Sequence, residues 1–84
     1  MPARLFVGGV SHATTEADLR TAFAQYGTVA EVAIVYDRGT GQSRGFAFVT
    51  MADRKHAARA IDALTGFELN GRRLMVSIAT ERAR

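Results

Sequence analysis

Arg44, Phe46 and Phe48 stand at alternate positions in the stretch Arg44-Gly45-Phe46-Ala47-Phe48-Val49-Thr50-Met51. A strand turns successive side chains to opposite faces. Read as a strand, the stretch puts Arg44, Phe46, Phe48 and Thr50 on one face and Ala47, Val49 and Met51 on the other. The second set suits a core. The first lines up two large aromatics beside a cation, which is equipment for stacking and charge contact rather than for breaking bonds. Either the strand is buried on both sides, or the rings lie open to meet something flat.

The neighbouring elements decide between these readings. Arg4-Leu5-Phe6-Val7-Gly8 is a candidate first strand, with Leu5 and Val7 inward and Phe6 and Gly8 outward. Thr15-Glu16-Ala17-Asp18 reads as a helix start: Thr15 caps, and Asp18 three residues on can bond back. Leu19, Ala22, Phe23 and Tyr26 then recur at helical spacing, and Gly27 is a natural stop. The branched run 29–36 alternates, with Val32 and Ile34 inward and Glu31, Ala33 and Val35 outward. The polar loop 37–43 joins it to the central strand. Asp53 caps a second helix with Ala57, Ala60, Ile61 and Leu64 as its stripe, and Gly66 follows its end. Arg54-Lys55-His56 in its first turn opposes the helix dipole, which a solvated helix tolerates. Phe67-Glu68-Leu69 leads into Asn70-Gly71, a pair suited to a turn needing positive φ twice. A last strand over 73–78 puts Leu74 and Val76 inward and Met75 and Ser77 outward.

The predicted order is strand, helix, strand, strand, helix, strand. This is an α+β fold, a ferredoxin-like βαββαβ sandwich with a four-stranded antiparallel sheet and two helices on one face. Two helix stripes cover one sheet face, and no chain remains for the other. Phe6, Phe46 and Phe48 are therefore expected to be exposed together, as at an interaction site. Bases offer a π-face whatever their identity. A duplex hides those faces, so the expected partner is single-stranded. Arg44 beside the rings can meet a phosphate or stack.

Composition sets the outer limits. The 84 residues suffice for one domain, and a hydrophobic content of 48% argues against disorder. No cysteine is present, which removes disulfides and thiolate metal sites. No apolar run is long enough to span a membrane and no charged-then-apolar leader resembles a secretory signal, so a cytoplasmic, intracellular setting is expected. The net charge of +3 comes from ten arginines and one lysine. Arginine suits phosphates and stacking, although a GC-rich genome explains the bias equally well. His12 and His56 read as surface histidines, without the acidic or cysteine company that a metal needs. No catalytic residue, metal or cofactor is expected.

These stretches resemble the RNA-recognition motif. The octamer of that family is basic-Gly-aromatic-Gly/Ala-Phe-Val-x-aromatic. Residues 44–51 match seven of its eight positions, counting the free one, with Met51 in place of the last aromatic. That position faces the core, so the departure concerns packing. Leu5-Phe6-Val7-Gly8-Gly9-Val10 resembles the family's hexamer, with the Gly-Gly form similar to heterogeneous nuclear ribonucleoproteins. The resemblance covers nearly the whole chain. It implies one domain over 1–84, with a core of about 3–80 and a short basic tail, similar to the small single-domain members of bacteria. It implies that Phe6 and Phe48 each stack on a base, that Phe46 inserts near the sugars between two nucleotides, and that Arg44 bridges to a phosphate. Beyond the resemblance, supporting contacts are expected from Arg38 and Gln42 in the loop, Met75 and Ser77 on the last strand, and the backbone of Ala79 and Thr80. Arg82 and Arg84 either add phosphate attraction or form a solvated end.

Three rivals share this outline. Acylphosphatases need an arginine in a phosphate-cradling loop and an asparagine on a strand. The only asparagine here, Asn70, is placed in a turn. A protein-interaction module usually lacks the three aromatics that this chain keeps. Single-stranded DNA fits the same rings, and only contacts to the 2′-hydroxyl would separate it from RNA. The reading carried forward is a monomeric single-stranded RNA-binding domain with no membrane or small-molecule ligand, suited to post-transcriptional regulation or RNA chaperoning.

Overall fold

The computed structural model describes residues 2–79. The elements run β1 (Ala3–Gly8), α1 (Glu16–Ala24), β2 (Val29–Tyr36), β3 (Ser43–Met51), α2 (Arg54–Leu64), β4 (Glu68–Leu69), β5 (Arg72–Arg73) and β6 (Met75–Ile78). The main sheet has the order β2-β3-β1-β6 and is antiparallel throughout. β1 and β3, which carry the aromatics, are its two central strands. The molecule is thin, 35 × 33 × 18 Å. That is the thickness of one sheet and one helical layer, so among the described residues nothing covers the second sheet face.

Local chemistry explains the helix ends. Thr15 accepts a hydrogen bond from the Asp18 N–H and Asp18 accepts one from the Thr15 N–H, both at 3.1 Å, completing the expected reciprocal cap. Asp53 accepts from the Lys55 N–H at 2.8 Å. Both carboxyls sit below the usual aspartate range. For Asp18 the main cause is the Thr15 backbone N–H, and for Asp53 it is the Lys55 backbone N–H. The helices press Leu19, Ala22, Phe23, Ala57, Ala60 and Leu64 onto the sheet, where Leu5, Val7, Val32, Ile34, Ala47, Val49, Met51, Leu74 and Val76 meet them. Met51 is completely buried, so the residue that departs from the octamer pattern works in the core.

The last strand is not continuous. Arg72–Arg73 pairs with Glu68–Leu69 in a separate two-stranded sheet, and only Met75–Ile78 joins β1. Leu74 is the transfer point: its N–H donates to the Phe67 carbonyl at 2.9 Å and its carbonyl accepts from Gly66 at 2.7 Å. The chain thus leaves one partner for another at a fully buried residue. Asn70 and Gly71 adopt φ of 53° and 86°, the doubly positive turn that the Asn-Gly pair favours. This hairpin packs against the loop after β1. Gly9 has φ of 72°, and a Cβ there would run into the Arg73 carbonyl oxygen. The hexamer's second glycine is therefore required by a neighbouring backbone.

Candidate nucleic-acid interface

Strand register assembles the site. Phe6 lies directly opposite Phe48, and Gly8 lies opposite Phe46. Three rings from two adjacent strands converge. Phe6 and Phe46 have centroids 5.7 Å apart, Phe6 and Phe48 5.9 Å, and Phe46 and Phe48 6.1 Å. The pairs are tilted or edge-on, in the range where aromatic rings attract one another. The rings are consequently half-buried rather than lying fully in the open, because each shields its neighbours' edges. Mutual packing also holds them in place, so less side-chain freedom is lost when a partner binds.

Gly8 makes the cluster possible. A Cβ on Gly8 would lie 3.1 Å from Cε2 of Phe6 and 3.8 Å from Cβ of Met75. Without it the Phe6 ring leans over the glycine, which is itself buried. On the far side of β1, Met75 pairs with Gly8 and Ser77 with Phe6. Met75 is 67% exposed and widens the apolar surface beside the rings. The structure thus brings Phe6, Phe46, Phe48, Met75 and Ser77 onto one surface, as the alternation predicts.

Arg44 lies on β3 beyond Phe46, and Arg38 and Gln42 lie on the loop that precedes the strand. Arg44 is exposed at the start of β3. The loop before it is closed on itself. Asp37 Oδ1 accepts from the N–H groups of Gly39 (2.7 Å) and Thr40 (3.1 Å), and the Asp37 N–H donates to the Gln42 carbonyl at 2.7 Å. Arg38 and Gln42 are exposed on this loop and stand apart from the aromatic cluster in sequence and strand position. At the opposite end, the Ala79 N–H donates to the Arg4 carbonyl at 2.8 Å, so it is not free to read a base, and only the rest of its backbone remains available. Thr80, Arg82 and Arg84 lie outside the described residues.

Among the described residues, the cation that meets the aromatics is Arg4. Its Cζ sits 4.3 Å from the Phe48 ring centroid, over the ring. Sequence reading passed over this residue, although its signal was available: Arg4 is two positions before Phe6 and so shares its face. Arg4 pairs with Thr50, which pairs in turn with Glu31 on β2. Arg4 and Thr50 also line a groove of about 390 Å³ with Ile78, Ala79 and Arg54.

The histidines take no part. His12 is exposed. His56, expected at the surface, is half-buried on α2. Its side chain occupies the space that a Cβ on Gly27 would need, and its buried Nδ1 has no partner. Among the described residues no group of three or more His, Asp or Glu is arranged to hold a metal ion. Among the same residues no helix is long and apolar enough to cross a membrane.

Sequence and structure both have clear likenesses among known proteins. A sequence model described as RNA recognition motif matches residues 5–75. The chain is 50% identical over 80 residues to the Arabidopsis thaliana protein named glycine-rich RNA-binding protein 5, mitochondrial; these are 95% of this chain and 27% of that protein. It therefore spans only about a quarter of that relative's length. Among solved structures, the RNA-binding protein PG1 superposes with a TM-score of 0.89 at 41% identity, covering 98% of this chain and 99% of that one. The Rna15 domain, solved with bound RNA (GU), superposes with a TM-score of 0.82 at 26% identity over 93% of this chain and 83% of that one.

Proposed function

Because the chain belongs to the RNA recognition motif family, we propose that it binds single-stranded RNA on its open sheet face, as a binding domain without catalysis. The observation that carries this reading is the Phe6–Phe46–Phe48 cluster on the two central strands, uncovered by any helix. The proposed roles are a base on Phe6, a base on Phe48, sugars against Phe46 and a phosphate on Arg44. Met75 and Ser77 flank the base on Phe6. Arg38 and Gln42 add loop contacts near Arg44, and Ala79, Thr80 and Arg82 add contacts of their own. The domain acts as a monomer over the whole 84 residues. Its length covers roughly two or three stacked bases.

The cytoplasm is the proposed compartment. The name of the plant relative makes mitochondria the alternative that imaging of a tagged chain would decide. Single-stranded DNA presents the same base faces, and a parallel titration separates the two.

The test is fluorescence anisotropy with a randomised single-stranded RNA pool. Wild type is compared with Phe46→Ala/Phe48→Ala after circular dichroism shows both folded. Binding by wild type and its loss in the folded double variant is the expected result. No wild-type binding, or equal binding by both proteins, overturns the proposal.

A further inference from the structure

The row Arg4–Thr50–Glu31 crosses three strands on the open face, one step beyond the row holding Phe6, Phe48 and Ala33. Two features of this row bear on what the face can bind. Glu31 is an exposed carboxylate on a face otherwise suited to a polyanion, where it repels phosphates. Among the described residues no cation comes within ion-pairing distance of it. Arg4, meanwhile, lies over the Phe48 ring at 4.3 Å. A base stacking there needs that ring face, so guanidinium and base cannot share it.

We propose that Arg4, Thr50 and Glu31 read the edge of the base that stacks on Phe48, and that they select guanine. This rests on the reading of the sheet as an RNA site and deepens it. In the free domain Arg4 caps the ring. An arriving base takes the ring face and moves the guanidinium to its own rim, where the groove beside Arg4 and Thr50 leaves room. Neighbouring strands lie about 4.8 Å apart, so Arg4 and Glu31 flank Thr50 at a backbone separation of roughly 10 Å. Their side chains therefore approach a base from two sides, one bringing only donors and the other only acceptors.

Guanine answers both. Its O6 and N7 accept two hydrogen bonds from an arginine fork, the commonest specific arginine–base contact. Its N1–H and N2–H₂ offer a carboxylate two donors. Adenine places a donor amine where Arg4 would approach. Uracil has a single N–H for Glu31, and cytosine presents one amine group. The Thr50 hydroxyl, able to donate and accept, fits between. Glu31 then has a reason to occupy a face that meets phosphate: it discriminates, at the expense of general attraction.

The test titrates four oligonucleotides, UUGUU, UUAUU, UUCUU and UUUUU, against wild type, Glu31→Ala, Arg4→Met and Phe46→Ala/Phe48→Ala. Wild type is expected to bind UUGUU about tenfold or more tighter than the other three, the scale of one good bidentate contact. Glu31→Ala lowers that ratio severalfold while binding UUUUU as tightly or more so, since a repulsive charge is gone. Arg4→Met lowers the ratio likewise. Equal wild-type affinity for all four, or a guanine preference undiminished in both single variants, overturns the polar row while leaving sheet binding in place. If wild type binds none of the four, or the double phenylalanine variant binds them as well, the RNA site itself has been misread and the row falls with it.

Discussion

The side-chain amide of Asn70 donates to the Asp18 carboxylate at 3.2 Å and to the Thr14 hydroxyl at 2.9 Å. A turn residue thus ties the β4–β5 hairpin to the capped start of α1. The same carboxylate closes the cap with Thr15. One aspartate therefore serves two elements that are distant in sequence.

This link predicts a pH signature. The Asp18 and Asp53 carboxyls are held below their ordinary value of 3.8, mainly by backbone N–H groups. A depressed folded-state pKa contributes stability that is present above the unfolded value and disappears as pH falls through the folded value. Urea midpoints should therefore hold steady above about pH 5 and drop as the pH falls below 3.8. Asp18→Asn should flatten that drop. A midpoint with the same acid dependence in the variant would remove Asp18 from the account.

Asn70→Gly keeps the positive φ of the turn and deletes the two side-chain hydrogen bonds. A loss of about 1 kcal/mol is expected, with a fall in Tm of roughly 4–8 °C. Thermal unfolding followed by circular dichroism reads it directly. An unchanged Tm would mean that the hairpin is held by its backbone contacts alone.

Gly8→Ala and Gly9→Ala should part ways. The new methyl at Gly8 comes within 3.1 Å of the Phe6 ring, which must tilt. RNA affinity should fall several-fold with little change in unfolding. At Gly9 the methyl meets the Arg73 carbonyl at a positive φ, so the cost is to folding, about 1–3 kcal/mol. Paired denaturation and binding curves separate the two effects.

Single alanine substitutions at Phe6 or Phe48 should each weaken RNA binding by about 1–3 kcal/mol, the usual worth of one stacked base. Both residues face away from the core, so each variant should unfold near the wild-type midpoint. Loss of folding instead of binding would place these rings in the stability of the sheet.

Salt separates the two arginines. Arg44, assigned to a phosphate, should contribute roughly 0.7 to the log–log salt slope, and Arg44→Met should reduce the slope by that much. Arg4→Met should leave it nearly unchanged, because Arg4 is assigned to a ring and a base. Salt-insensitive binding would contradict the role given to Arg44.

Much of this was legible because local rules and the global fold agree. The Thr15–Asp18 cap, the Asn70–Gly71 turn and the inward set Leu5, Val7, Ala47, Val49 and Met51 follow from short-range spacing. What escaped depends on register between strands, which no single strand's alternation contains. Arg4 meets Phe48 only because Arg4 pairs with Thr50. The rings shield one another because Phe6 stands opposite Phe48 and Gly8 leaves room for the Phe6 ring. The break at Leu74 was hidden for a related reason: inward Leu74 and Val76 fit one unbroken strand, while the change of partner is made by Phe67 and Gly66, several residues back.

The two-layer build also shapes how this molecule can change over generations. On β1 and β3, residues that hold the domain together alternate with residues on the open face. A point mutation therefore alters either folding or recognition, seldom both. Substitutions at positions 4, 31, 50, 75 or 77 are nearly invisible to the core. Lineages can rework the open face one residue at a time without first acquiring spare stability. A one-residue deletion inside either central strand is the opposite kind of event, since it exchanges the two sets at a stroke and forfeits both.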